Sequence, residues 1–215
     1  MISLGLDPSL TGFGWCVHDS SAQGPARIVS RGIFTTSPRQ IFVSRYIEMR
    51  ESVSRLLGEN PAVESVGVES PPFGEQWSEG LYGLFLYVNE ALYRHRKDVV
   101  YFDPGTVKML VKQDPTVRKG KMFKSDMVEA ALADTGLKGR MNHNEADAYH
   151  IARFAARFWL LVRGDLQAED LTVSEERAFL RIHTFQRGAR AGQTVKMGAA
   201  FKENQRFFRF SQLEK

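Results

Sequence analysis

A single cysteine, Cys16, occurs in 215 residues, which rules out an internal disulfide and with it the stapled scaffolds of small secreted domains. Its apolar surroundings predict a small core residue in a chain made for a reducing compartment. No apolar run approaches the roughly 18 residues of a membrane span. The N-terminus also lacks the basic region, apolar stretch and cleavage site of a secretory leader. A cytoplasmic location is therefore expected. No repeat of about 20 to 50 residues and no low-complexity tract is present, which excludes solenoids, propellers and disordered linkers.

What is present suffices for a core: 43% of the residues are hydrophobic, and the length fits one domain of ordinary size with a tail. The net charge of +4 is small but unevenly spread. Residues 181–215 carry eight Lys or Arg against two Glu, and residues 94–124 carry nine Lys or Arg against three Asp. Two basic zones on a nearly neutral body suit a polyanionic partner such as nucleic acid; a solvated tail and a solvated loop are the alternative.

The apolar pattern predicts short strands at 1–7, 12–18 and 27–35, the first two joined by a Pro/Ser/Gly turn. A helix follows from about Ile41 to Leu57, stopped by Gly58 and Pro61. SVGVE (65–69) reads as a buried strand, and its successor SPPFG cannot extend a central one. Helices are predicted over 79–94, 104–112 and 122–134, a strand over 98–102, and a long helix from about Asn144 to Arg163 without internal Gly or Pro. Strands first in sequence and then alternating with helices predict an α/β fold, a mixed five-stranded sheet with helices on both faces. Past Gly164 the pattern weakens. VSEERAFLRIHTF reads as either a strand or a helix. The final stretch interleaves bases with Phe201, Phe207, Phe208 and Phe210, which either pack in a core or meet a base, a backbone or a partner subunit.

Two predicted strands that want burial end in an acid, Asp7 and Glu69. If the strands are neighbours, both carboxylates point into one cleft, where like charges are costly unless a cation or proton neutralises them. That cost favours a hard divalent ion with oxygen ligands, Mg2+ or Mn2+. A third acid, Asp147, lies near the start of the long helix in MNHNEADAYH. Helical spacing puts Asn144 and His143 on its side and turns Glu145 away, although Asn144 or His143 also suits the helix cap. Three or four such ligands around two divalent ions are a solution to phosphodiester hydrolysis, and the basic residues would hold the backbone. A nuclease accounts for acids and bases together.

The ordered set LGLDPSLTGFG, VGVES and NHNEADAYHIA resembles the RuvC-like Holliday-junction resolvases of the RNase H-like superfamily. That family has a first-strand aspartate before a TG-G turn, a fourth-strand glutamate and a helix with acids in an ADA context. YFDPGTVKMLVKQDPTVRKGKMFKSDMV is similar to the family's proline, VK and basic-loop segment. The resemblance spans about residues 1–160. It implies an RNase H-like domain over 1–164, followed by a basic, aromatic-containing extension over 165–215. It implies Asp7, Glu69 and Asp147 as metal ligands. The family's fourth ligand, an Asp or His, falls at Asn144, so that His143, as auxiliary ligand or base, or Asn144 completes the site. It also implies that Lys108, Lys112, Arg118, Lys119, Lys121 and Lys124 border a DNA channel, with Lys121 and Lys124 nearest the scissile phosphate. Phe73, in the turn after Glu69, either packs there or stacks on an unpaired base, and Trp77, Tyr82 and Phe85 serve as core, dimer seam or branch-point wedge. The implied activity is metal-dependent cleavage of four-way DNA junctions by a homodimer. Cleavage of flaps, other branched DNA or hybrids, and junction binding with weak catalysis, are the alternatives. An actin-like ATPase would need two related halves that the chain does not display.

Overall fold

The structure is a computed structural model describing residues 1–71, 78–113, 122–196, 198–199 and 206–212. Its main sheet is built from β1 (Ile2–Asp7), β2 (Phe13–Asp19), β3 (Ile28–Phe34), β4 (Ser65–Glu69), β5 (Asp98–Phe102) and β8 (Phe207–Phe208), in the order β3-β2-β1-β4-β5-β8. The first three strands form an antiparallel meander, β4 and β5 run parallel to β1, and β8 pairs antiparallel with β5. The sheet is mixed as expected, but it has a sixth strand: the unpaired edge of β5 takes up two residues of the C-terminal stretch. β6 (Ile182–Thr184) and β7 (Thr194–Lys196) form a separate two-stranded hairpin.

Among the described residues, six α-helices complete the fold: α1 (Phe42–Glu59), α2 (Glu79–Arg94), α3 (Pro104–Lys112), α4 (Lys124–Thr135), α5 (His143–Arg163) and α6 (Val173–Leu180). The ambiguous segment VSEERAFLRIHTF is thus a helix followed by a strand. Thr172 caps α6, its hydroxyl accepting from the Glu175 amide at 3.2 Å. No helix among the described residues is long and apolar enough to cross a membrane.

Strand alternation sorts the side chains onto the two faces. Leu4 and Leu6 of β1 and Val66 and Val68 of β4 are fully buried toward α1 and α2, against Met49, Val53, Leu84 and Val88. The intervening residues, Ser3, Gly5 and Gly67, face α5: the Ser3 hydroxyl donates to the Ala152 carbonyl at 2.9 Å, and Gly67 lies under Ile151 and Ala155. The small residues let α5 settle against the backbone of the sheet. A Cβ on Gly5 would stand 1.9 Å from the Ala148 carbonyl oxygen, and one on Gly14 would stand 2.1 Å from the Asn144 oxygen.

The C-terminal residues are packed onto this body. Phe179 of α6 lies beneath Phe158, with ring centroids 5.7 Å apart, and Phe207 touches both Phe158 and Trp159. Phe208 and Phe210 stack on each other at 5.6 Å, beside Tyr101 and Tyr93. Phe201 lies outside the described residues. Cys16 is fully buried, as its surroundings predict.

Candidate active site

The parity that turns Leu4 and Leu6 toward α1 and α2 turns Asp7 toward α5, and the same counting from Gly67 turns Glu69 that way. β1 and β4 are parallel neighbours with Leu6 opposite Val68, so the two acids end adjacent strands on the same face. α5 supplies the rest by register. Ala152 sits over Ser3 and Ala148 over Gly5: two strand residues, about 6.6 Å, match roughly one helical turn of 5.4 Å. One further step sets Asn144 over the Asp7–Gly14 pair, with Asp147 between.

The start of α5 is fixed by Asn142, whose side chain accepts from the Asn144 amide at 2.9 Å while the Glu145 carboxylate accepts from the Asn142 amide at 2.9 Å. The cap is therefore Asn142, not the neighbouring Asn144 or His143, and the Asn-x-x-Glu spacing of a capping box was present in the sequence to find it. Gly164, at φ 83°, ends the helix.

Asp7, Glu69, Asp147 and Asn144 line one open cavity of about 270 Å3, together with Ser9, Lys108 and Lys124. Their electrostatics are those of a crowded acidic cluster. Burial, reinforced by the Asp147 carboxylate, pushes Asp7 up to about 7 against the pull of Lys124. Glu69 is held well above the carboxylate range by burial and then by Asp7 and Asp147, with Lys108 opposing. Burial raises Asp147 to about 6, and Lys108 and Lys124 moderate it.

The predicted residues divide clearly. Asp7, Glu69, Asp147, Asn144, Lys108 and Lys124 come together. His143 does not line the cavity: its Nε2 accepts from the Lys124 ammonium at 2.9 Å, and burial and Lys124 together lower its pKa. Asn144 faces the sheet, its side-chain nitrogen close over Gly12. Lys112 is exposed at the end of α3. Phe73, Trp77, Arg118, Lys119 and Lys121 lie outside the described residues. Phe85 packs on Tyr101 with centroids 5.4 Å apart, and Tyr82 is exposed.

Three neighbours of the site were not anticipated. Ser9 joins the cavity lining. Asp103 adds to the repulsion on Glu69 and pairs with Arg206 at 3.5 Å. Arg45, although charged, is buried on α1; its guanidinium donates to the Leu10 carbonyl at 2.7 Å and the Thr36 hydroxyl at 2.9 Å, bracing the loop that follows Asp7.

The donor set fits a hard divalent cation. Three carboxylates and an amide share a partly buried cavity in which their charges raise one another's proton affinity, and a cation would reverse that penalty. Among the described residues, no three His, Cys, Asp or Glu side chains already stand in metal-ligating geometry.

No family model matches the chain, and neither does any curated protein. Solved structures do. The chain is similar to Thermus thermophilus RuvC at 23% identity and a TM-score of 0.59, covering 71% of this chain and 92% of that one. It is similar to the same protein in complex with a Holliday junction substrate, at 23% identity and a TM-score of 0.60, over 71% and 91% of the two chains. The yeast mitochondrial Holliday junction resolvase matches at 15% identity and a TM-score of 0.47, over 70% and 75%. The likeness to the two RuvC structures establishes the architecture: an RNase H-like α/β fold.

Proposed function

We propose that the chain is a Mg2+- or Mn2+-dependent endonuclease of branched DNA that resolves four-way junctions by paired phosphodiester hydrolysis. The observation that carries the reading is the convergence of Asp7, Glu69 and Asp147 from β1, β4 and α5 in one cavity flanked by Lys108 and Lys124. The fold shared with RuvC, one of whose structures holds a Holliday junction substrate, supports the choice of DNA.

Asp7, Glu69 and Asp147 would hold the metal, with the Asn144 amide oxygen as a neutral fourth donor. Divalent ions at such a site supply charge neutralisation at phosphorus and a hydroxide at neutral pH. The chain's own residues do the remainder. Lys108 and Lys124 attract and orient the phosphate oxygens, and His143 fixes the direction of the Lys124 ammonium. Water adds to phosphorus as the bond to the 3′ oxygen breaks, and that oxygen leaves with a proton. The basic loop with Arg118, Lys119 and Lys121, and the turn with Phe73, would extend the DNA channel.

Symmetric resolution needs two sites, so the active form would be a homodimer. In support, α1 and its approach expose Ile41, Phe42, Val43 and Ile47, and α2 exposes Tyr82 and Leu86; such large apolar groups suit an interface. Within the two-part organisation proposed, residues 1–164 would carry the chemistry. Two observations favour a second reading, a junction-binding protein with weak catalysis: Asn144 stands where a charged ligand would strengthen the site, and no ligand set is ready-made among the described residues.

Mapping the products of synthetic four-way and flap substrates with Mg2+ or Mn2+ separates these readings. The expected result is a pair of symmetrically related nicks in the junction, lost in D7N, E69Q and D147N proteins that still bind it. Tight binding without cleavage by the unmodified protein would decide for the second reading, and preferential cutting of the flap would remove junction selectivity.

A further inference from the structure

The β6–β7 hairpin takes no part in the cavity, and its construction is unusual for a segment left in solvent. No described side chain of its two strands is buried: Ile182, Thr184, Thr194 and Lys196 are exposed and Val195 is half-buried. A two-stranded hairpin that packs no face on a core is marginal by itself, yet this one is fastened to the body at its base and closed by hydrogen bonds within its own tip. At its base, the Gly198 amide donates to the Arg181 carbonyl and the Ala199 amide to the Ala178 carbonyl, both at 3.0 Å, fastening the hairpin to α6. Gly198 is pressed against the backbone there; a Cβ on it would stand 2.3 Å from the Phe179 oxygen. α6 is anchored in turn by the Arg157–Glu175 ion pair and by Phe179 in the core.

At the tip, the Phe185 amide donates to Gln193 at 3.0 Å and the Gly192 amide to Phe185 at 2.9 Å. Between them the Ala191 amide donates to Gly188 at 3.0 Å and the Gln193 amide to Arg190 at 2.9 Å. Gly188 and Gly192, each at φ 81°, make this bend possible. The turn carries Arg187 and Arg190, both exposed, with the Arg190 guanidinium over the Phe185 ring at 5.6 Å from its centroid.

The charge pattern identifies what a firmly held, uncovered hairpin would meet. From Arg177 to Lys202 there are six Lys or Arg and not one Asp or Glu. Among the described residues, Arg181, Arg187 and Arg190 have no carboxylate partner. A protein surface would offer this tip little apolar contact to match, whereas a polyanionic backbone matches its charge throughout.

We infer that the β6–β7 hairpin is a second DNA-binding element, a basic wing whose tip arginines, Arg187 and Arg190, bind backbone phosphates of a duplex arm away from the reacting phosphate. The inference rests on the DNA reading proposed above and adds a site that contributes affinity without chemistry. Each phosphate neutralised contributes about 0.9 to the slope of log K against log salt. Removing both arginines therefore lowers the slope by about 1.8, which at 0.1 M salt is a loss of about 60-fold in affinity.

The test is equilibrium binding of a synthetic four-way junction in EDTA, titrated over salt, by the unmodified protein and by R187A/R190A and R187K/R190K. Alanine should weaken binding and flatten the salt dependence by these amounts, lysine should retain most of both, and cleavage at saturating protein should be the same for all three. If R187A/R190A binds with the affinity and salt slope of the unmodified protein, the wing is refuted while the DNA reading stands. If the unmodified protein binds neither junction nor duplex, the DNA reading itself fails and takes the wing with it.

Discussion

Replacing Gly5 by alanine tests the link between sheet packing and the candidate site. The added Cβ would stand 1.9 Å from the Ala148 carbonyl oxygen and 2.5 Å from the Ala152 amide nitrogen, against an ordinary contact of 3.4 Å or more. Relief requires α5 to rise from β1 by about 1.5 Å, the difference between the first and last of these distances. The obstructing atoms are helix backbone, so trimming facing side chains cannot make room, and A148G should not rescue the variant. Overpacking a core costs about 1–3 kcal/mol, and a collision with backbone belongs at the upper end, near 3 kcal/mol. For a chain of this size that is a fall of roughly 6–12 °C in Tm. Asp147 precedes Ala148 and moves with it, and a misplacement of about 1 Å at a reacting centre costs on the order of 100-fold in rate. Thermal and urea unfolding followed by circular dichroism, with junction cleavage measured at 20 °C where the variant is folded, reads both effects. Gly58 in α1 is the control: a Cβ there meets nothing within 4 Å, so G58A should be neutral or stabilising by up to about 1 kcal/mol. A G5A protein as stable as G58A would refute the packing argument.

Two further outcomes follow from burial and charge. In metal-free buffer, D7N should be more stable than the unmodified protein at pH 8, because the rise of Asp7 from 3.8 to about 7 corresponds to about 4 kcal/mol, reduced to about 2 kcal/mol by solvent at the cavity mouth. The folded carboxyl keeps its proton to higher pH than the unfolded one, so stability falls as pH rises from about 4 toward 7; urea titrations in EDTA at pH 5 and pH 8 should show this fall shrinking in D7N, and equal falls would refute it. R45M should lose about 2 kcal/mol through the unmade charged hydrogen bonds to Leu10 and Thr36, and should lower kcat in a cleavage assay by loosening the loop after Asp7; full activity at unchanged Tm would contradict that bracing role.

The parts of the site legible in the sequence are those where a period and a terminus coincide. β1 and β4 each place an acid at the end of a buried strand, and α5 shows a long uninterrupted helical run with Asp147 one turn in, just after the capping Glu145. Once the strands are neighbours, parity and register bring Asp7, Glu69 and Asp147 together. What was not legible depends on tertiary demand. β8 has two residues, too few for any period, and exists because β5 had an open edge. Arg45 reads as a solvated helix charge; it is buried because the Leu10 carbonyl requires a donor. The divergence of His143 from Asn144 turns on one residue step at a helix start, about 100°, which sends one side chain to Lys124 and the other over Gly12.

The sixth strand carries a consequence for how the protein is made. β5 is complete about a hundred residues before Phe207 and Phe208 are synthesised. At roughly 5 to 20 residues per second this leaves an interval of about 5 to 20 seconds in which the nascent β5 edge, from Val99 to Tyr101, has no partner from its own chain. An open edge pairs with whatever strand arrives first, and on a crowded polysome that strand belongs to a neighbouring copy. Translation speed across the second half of the message therefore sets how long each new molecule is exposed to mispairing, and a truncation before Phe207 would make that exposure permanent.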